Sequence, residues 1–524
     1  MGGSLVEGLA VTTAAGHNAD YNDVNDHNDV TTQARGNRSM FGMSVRKTGA
    51  LRAVLLGSVA ASMIAPAQAA ETVDIEALEQ QMQILIQEIQ ALKSQQLEQA
   101  RTIEEQNKKL DAQGQEIQAQ QEQVEAVEEA VVAAPAQAVT GGDHPGSFKL
   151  PGSNTSMKIG GYTKGDLNYD IDQDLGDTFN TVFLLPDGAA VKDPSFRAHA
   201  RQTRVNLTTW TPTDVGQVKT FIEGDFFGDG GNELLSNSTS LRLRHAFGQL
   251  STENWDFLIG QTWTNFMGLK TIPDTIDFHG PTGFPFVRQG QARATYKGVE
   301  NVKVSVSLEN SEFTGHNYGS TILGSETTGV GFGVDSLPDV TAAVVYNKDG
   351  YHVKVSAVGR KLKVDTAGGA PKNDSEFAYG FFGGVVIPTI GKDKAIATVA
   401  YGDGIGRYLI DGIFQDGFVD ATGDLETIEQ LAFTAAYHRQ WDPEWSSNAV
   451  FGRTEFLDTN LMAPTAAFGV GNYETLTTVH VNTWWAPATN FRFGLEYMYG
   501  MKEFKASGFD NHASRVGFAG QFFF

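Results

Sequence analysis

The sequence contains no cysteine. That excludes a cysteine-ligated zinc site and any stabilisation by disulfides. Positive charge is also scarce, with 39 lysines and arginines against 62 aspartates and glutamates and a formal net charge of -23. Most of such a surface would repel a phosphate backbone, which argues against nucleic acid as a partner. Charged residues of both signs make up only 19% of the chain. The apolar stretch from Ala53 to Ile64 is too short to remain in a bilayer as a permanent helix. No calcium loop of the EF-hand kind and no nucleophile-elbow motif is found. Glycine, with 58 residues, and phenylalanine, with 33, are plentiful, a composition that suits many strands better than many helices.

Residues 43–69 read as a signal peptide. Arg46, Lys47 and Arg52 form its basic start, the apolar core comes next, and Ala65-Pro66-Ala67-Gln68-Ala69 supplies the small residues of a cleavage site before Ala70. The chain from Ala70 onward is therefore periplasmic, outer-membrane or secreted. Residues 1–42, rich in Asn, Asp and Gly, read as a disordered or mis-assigned leader, with Met43 as the working start.

Residues 70–134 predict a periplasmic α-helical coiled coil. From Ile75 the heptad register holds for eight repeats, with Ile75, Met82 and Ile89 opening the a positions and Leu78, Leu85 and Leu92 the d positions. A 3.5-residue period over this length buries its seam only against a partner helix, so these six residues are assigned to oligomerisation. Ile at a with Leu at d leans towards two strands, whereas the glutamines that fill later core positions obey no simple rule. The helix is expected to fail at Ala134-Pro135, and residues 135–151 read as a flexible linker.

Residues 152–524 change period from 3.5 to 2. Met157, Ile159, Gly161, Thr163, Gly165, Leu167 and Tyr169 alternate with Lys158, Gly160, Tyr162, Lys164, Asp166 and Asn168, the pattern of a membrane strand around a wet interior. Further strands are predicted near 200–210, 217–227, 240–250, 255–264, 287–297, 301–311, 339–347, 351–361, 376–387, 393–404, 428–440, 446–456, 472–485, 490–502 and 511–524. The fold class is thus an all-β transmembrane barrel of about sixteen antiparallel strands, preceded by the coiled coil. Short turns such as Asn347-Lys348-Asp349-Gly350 belong on the periplasmic side, and the tryptophans near them, Trp210, Trp255, Trp441, Trp445, Trp484 and Trp485, predict an aromatic girdle there. Phe518, Phe522 and Phe524 share the apolar face of the closing strand, which needs lipid to cover it. A last strand ending on phenylalanine resembles those of bacterial outer-membrane barrels, and that resemblance implies that these three residues are the barrel-assembly signal.

A barrel of this width is not filled by its own wall. Residues 265–286, with Pro273, Pro281 and Pro285 among Phe278, Phe284 and Phe286, either fold inward to narrow the channel or lie outside. Alternation against clear apolar positions turns Arg204, Arg242, Arg244, Arg293, Lys354, Arg492 and Arg515 inward, and Glu223, Asp225, Glu309 and Glu496 share that wall. Arginine forks bind carboxylates, so these seven cations are the candidate pore-lining and solute-binding residues of an anion-selective channel.

The segments Leu241-Arg242-Leu243-Arg244-His245-Ala246-Phe247, Gly260-Gln261-Thr262-Trp263-Thr264-Asn265-Phe266-Met267 and Thr275-Ile276-Asp277-Phe278-His279-Gly280-Pro281 resemble the DcaP-like family of trimeric outer-membrane porins. The resemblance runs from about Met43 to Phe524 and has no counterpart for the leader. It implies a homotrimer in the outer membrane of a Gram-negative bacterium that takes up small anions such as dicarboxylates. No catalysis, cofactor or metal is expected, and the partners are outer-membrane lipids, the barrel assembly machinery and small anionic solutes. The rivals are a barrel enzyme, which requires a Ser and a His brought together on the outer wall, and a structural tether that uses the helix to reach the cell wall.

Overall fold

In this computed structural model the described residues are 75–133, 139–184, 193–232, 236–317, 322–324, 333–365, 373–412, 415–420, 422–457, 473–504 and 511–524. The expected leader and signal peptide lie outside them. One helix, α1, spans Ile75–Ala133 and carries all six residues assigned to oligomerisation. It runs through Gly114 to Ala133, and the break expected at Ala134-Pro135 lies outside the described residues. The a-position side chains of Met82, Ile89, Ile103, Leu110 and Ile117 are exposed along it, an apolar row with nothing of its own to pack on.

The second unit is a sheet of 18 strands, of which two are short segments, Phe148–Lys149 and Ser195–His199. The other sixteen are β1 Ser156–Asp170, β2 Arg204–Thr213, β3 Gly216–Asn232, β4 Ser238–Ser251, β5 Trp255–Trp263, β6 Arg288–Val299, β7 Val302–Glu309, β8 Asp339–Lys348, β9 Tyr351–Val364, β10 Asp374–Pro388, β11 Lys394–Asp403, β12 Glu429–Gln440, β13 Trp445–Phe456, β14 Tyr473–Ala488, β15 Phe491–Phe504 and β16 Asn511–Phe523. Each pairs antiparallel with the next. β1 then closes the ring by pairing with β16, from Tyr162 opposite Phe523 to Asp170 opposite Arg515. Closure removes the sheet edges, the condition for placing strands in lipid where no water satisfies an open edge. All sixteen sequence-predicted strands are present, and the second begins early, with Ser195–His199 pairing to the upper part of β1 before the chain reaches β2.

The two-residue period sorts the wall as expected. Ile159, Leu167 and Tyr169 of β1, Val304, Val306 and Leu308 of β7, and Val516, Phe518 and Phe522 of β16 are exposed on the outer face, while most of their sequence neighbours are buried within. Phe524 is exposed beside them, and its backbone exchanges hydrogen bonds with Gly161 at 3.1 and 3.2 Å.

The girdle is smaller than the sequence reading. Trp255, Trp441, Trp445 and Trp485 are exposed near the short turns, and Trp445 stacks on Trp485 with ring centroids 5.9 Å apart. Trp484 is buried inside the barrel, since the neighbour of an outward residue in a strand must point inward. Trp210 shares the inward alternation of Arg204 and Thr208 and stacks on His144 at 4.1 Å. That stack helps hold a segment read as a flexible linker: residues 139–151 form a hairpin in which Phe148–Lys149 pairs with Met157 and Ser156, and Gly141 bridges to Phe148. On the side of the long loops, Thr314–Asn317, Ile322–Gly324, Gly417–Val419 and Leu425–Thr427 form a separate four-stranded sheet.

Replacing Phe524 by Asp puts a charge on the lipid-facing side of the closing strand and is expected to lower the amount of assembled barrel without affecting export. The heat-modifiable fraction in outer-membrane preparations measures it, and an unchanged fraction counts against the assignment.

Candidate functional site

The segment between β5 and β6, residues 264–287, folds into the barrel. Phe266, Met267, Ile276, Phe278 and Phe284 are buried, and the segment meets the inner wall on many sides. Its seat is prepared by glycines that face inward. A Cβ on Gly494 would lie 2.4 Å from Ile276 Cδ1, and one on Gly452 would lie 2.1 Å from the carbonyl oxygen of Thr282. A third gap, at Gly500, admits Phe179 and Thr181 from the loop after β1, where a Cβ would come within 2.6 Å of Thr181 Cγ2. Hydrophobic clusters between loops and wall fill this part of the interior, one joining Phe266, Phe382, Ile405 and Tyr408 and another joining Trp263, Met267, Phe284 and Ile410.

A loop inside a barrel carries peptide groups into a place with little water, and each buried one needs a partner. Wall carboxylates accept the N–H groups. Glu496 takes the amides of Ile276 and Asp277 at 2.9 and 2.7 Å, and Glu309 takes that of Asn265 at 2.8 Å. Wall cations donate to the carbonyls. Lys164 reaches Ile276 O at 2.6 Å, Lys354 reaches Met267 O at 2.6 Å, Arg293 reaches Trp263 O at 2.6 Å and Lys502 reaches Val182 O at 2.7 Å. Arg360 of β9 is completely buried and binds Asp339 at 2.9 Å, Asp416 at 2.7 Å and Gly404 O at 2.8 Å, fixing the loop after β11.

At the tip of the lumen loop, Asp277 accepts from the amides of Phe179, at 3.0 and 3.1 Å, and of His279, at 2.9 Å, with Arg515 at 3.4 Å. Burial pushes its carboxyl up, but the Arg515 guanidinium and those amides outweigh burial and hold it below the usual carboxylate range. His279 pairs with Asp411 at 2.8 Å, joining the lumen loop to the loop before β12.

All seven sequence-predicted cations face inward, in two groups. Arg293, Lys354, Arg492 and Arg515 bind the loops: Arg492 holds Asp274 at 2.9 Å, and Arg515 holds Asp170 at 2.6 Å and Gly176 O at 2.7 Å. Arg204, Arg242 and Arg244 gather beneath Phe278, their guanidinium carbons 6.0, 5.7 and 5.8 Å from its ring centre. Arg242 grips Asp225 with two hydrogen bonds of 3.0 and 2.7 Å, and Arg244 bridges Glu223 at 2.7 Å and Asp225 at 2.8 Å. A slip in register between β3 and β4 sets His245 opposite Glu223 and Leu243 opposite Gly224, so a bulge buries Arg244 and His245 together.

The sequence reading missed Lys502 and Arg360, although both alternate with outward residues as the chosen arginines do. It also missed Phe278 as the aromatic centre of the arginine group. No pattern within residues 265–286 shows which wall residues that segment meets. Among the described residues no group of His, Asp and Glu is placed to hold a metal ion.

A closed antiparallel barrel of sixteen strands, apolar outside and charged within, narrowed by a loop after its fifth strand, defines an outer-membrane channel. The sequence profile of the family described as DcaP outer membrane protein matches residues 82–524. The chain belongs to that family and resides in the outer membrane. Among solved structures it is similar to the outer membrane channel DcaP of Acinetobacter baumannii, at 24% identity over 71% of this chain and 97% of that one, with a TM-score of 0.59. OprB of Pseudomonas putida, at 11% identity over 70% and 94% of the two chains, gives 0.45. OmpF of Salmonella typhi, in complex with daunomycin, gives 0.44 at 12% identity over 70% and 98%. No curated protein matches.

Gly494→Leu removes the seat of Ile276 and is expected to displace the lumen loop. Single-channel conductance should then rise while the heat-modifiable barrel is retained; equal conductance would show that the loop does not need this gap.

Proposed function

We propose that this outer-membrane channel is a passive, non-enzymatic porin that favours small anions, dicarboxylates among them. The observation that carries the reading is the inward setting of Arg204, Arg242, Arg244 and Arg293 beside the lumen loop, where the pore is narrowed and water screens least. Three of these guanidinium groups meet the carboxylates of Glu223 and Asp225, which are buried with them, so a carboxylate solute competes with those acids for the arginine forks. Arg293 also donates to Gln291 and to the carbonyl of Trp263, where the lumen loop begins. Reversal potentials in a salt gradient should show anion preference in the wild type and a reduced preference when all four are changed to Gln. Cation selectivity in the wild type, or no change in the variant, would remove the four from the filter.

The assembly proposed is a homotrimer, with α1 setting or reinforcing it through Ile75, Leu78, Met82, Leu85, Ile89 and Leu92. The supporting features are the exposed apolar row on α1 and the membership of the family. Heptad preference alone leans towards a dimer, so native mass spectrometry of the detergent-solubilised protein is a direct test: three chains are expected, and a clean dimer would sink the idea.

A further inference from the structure

Among the described residues, the guanidinium of Arg204 stands in the lumen without a hydrogen bond. Arg204 is 1% exposed, and none of its three nitrogens has a hydrogen-bond partner among the described residues. Glu223 Oε1 stands 3.8 Å from its Nε, too far for a hydrogen bond, and is held by Arg244 at 2.7 Å. Asp225 is likewise engaged by Arg242 and Arg244. The cover over Arg204 is aromatic: the Tyr162 ring centre lies 5.2 Å and the Phe278 ring centre 6.0 Å from its guanidinium carbon.

Arg204 gives up charge-assisted hydrogen bonds for two ring faces and a long ion pair to Glu223 at 3.8 Å, all weaker attractions. The ring of Phe278 takes the position facing Arg204, Arg242 and Arg244 together, and it lies flat on Phe227 with centroids 4.0 Å apart. The backbone on either side is held, the Asp277 amide by the Glu496 carboxylate and the His279 amide by Asp277, and the His279 ring is tied to Asp411. The Phe278 ring itself is held by packing alone and can turn without breaking a hydrogen bond.

We infer that Phe278 covers an oxyanion-binding site, centred on Arg204 with Arg242 and Arg244 at its edge. A small oxyanion enters when the ring turns aside, presenting two oxygens to the Arg204 fork. The inference rests on the anion reading of the pore and adds that solute is bound on its way through, so that flux saturates. Carboxylate, sulfate and phosphate share the required geometry, and sulfate is the probe because it carries no apolar part for the aromatic rings to hold.

The test is sulfate conductance of the full chain in planar bilayers, at fixed ionic strength, against sulfate activity. Wild-type conductance should saturate. Phe278→Ala, which uncovers the site, should lower the half-saturating activity severalfold. Arg204→Gln should raise it at least about tenfold, the effect of losing even one of the fork's two charge-assisted hydrogen bonds, and Arg204→Lys should fall between because it keeps charge without the fork. Heat-modifiability checks the barrel of each variant, and if Arg204→Gln does not assemble, the Phe278→Ala result decides alone. Linear wild-type conductance, or a half-saturation unmoved by these changes, overturns the site. Reversal potentials in KCl on the same membranes separate the two readings: anion preference with linear sulfate conductance removes the site and leaves the anion channel, whereas cation preference removes both.

Discussion

A peptide group carried into the interior of a closed barrel has lost bulk water and must be satisfied by the wall, and the arrangement of the lumen is a result of that constraint. Leaving a buried amide or carbonyl unpaired costs about 1–3 kcal/mol, so a loop of more than twenty residues cannot enter without many prepared partners. The wall supplies them by charge type: Glu309 and Glu496 for N–H groups, Lys164, Lys354, Lys502 and Arg293 for carbonyls. Charge that reads as pore lining in the sequence is in large part charge that holds the loops. The arginines near Phe278 differ in what they meet: the wall acids Glu223 and Asp225 and aromatic rings.

The barrel was legible because strand alternation is local. Sixteen strands and the inward side of every chosen cation can be read two residues at a time, and the bulge at Arg244 was hidden only because a bulge is defined by the partner strand. Trp210 and Trp484 were misplaced although parity in their own strands was enough to turn them inward. The inward course of residues 264–287 was not legible. It depends on pairs such as Ile276 with Glu496 and Asp274 with Arg492, each more than two hundred residues apart, and on glycines whose meaning appears only when another segment lies over them.

The helix poses a different problem. Its exposed Met82, Ile89, Ile103, Leu110 and Ile117 form one apolar line, yet glutamines such as Gln96, Gln99 and Gln106 occupy core registers of the heptad. Buried polar residues would lower the stability of a coiled coil and narrow its choice of partner, so in the assembly proposed here α1 would select how chains meet more than hold them together unaided. The hairpin of residues 139–151 gives the barrel end of the connection a fixed start beside Trp210.

The gaps at Gly452, Gly494 and Gly500 also bear on inheritance and on engineering. Surface loops on a scaffold are commonly exchanged as cassettes, because nothing behind them records their shape. Here the record is kept in the staves. A lumen loop grafted from a relative would bring its own bulk to hollows cut for Ile276 and Thr282, and a graft of the loop after β1 would do the same at the hollow for Phe179 and Thr181, so the transplantable piece is the loop together with β13 and β15, and loop and staves should change in step as the family diverges.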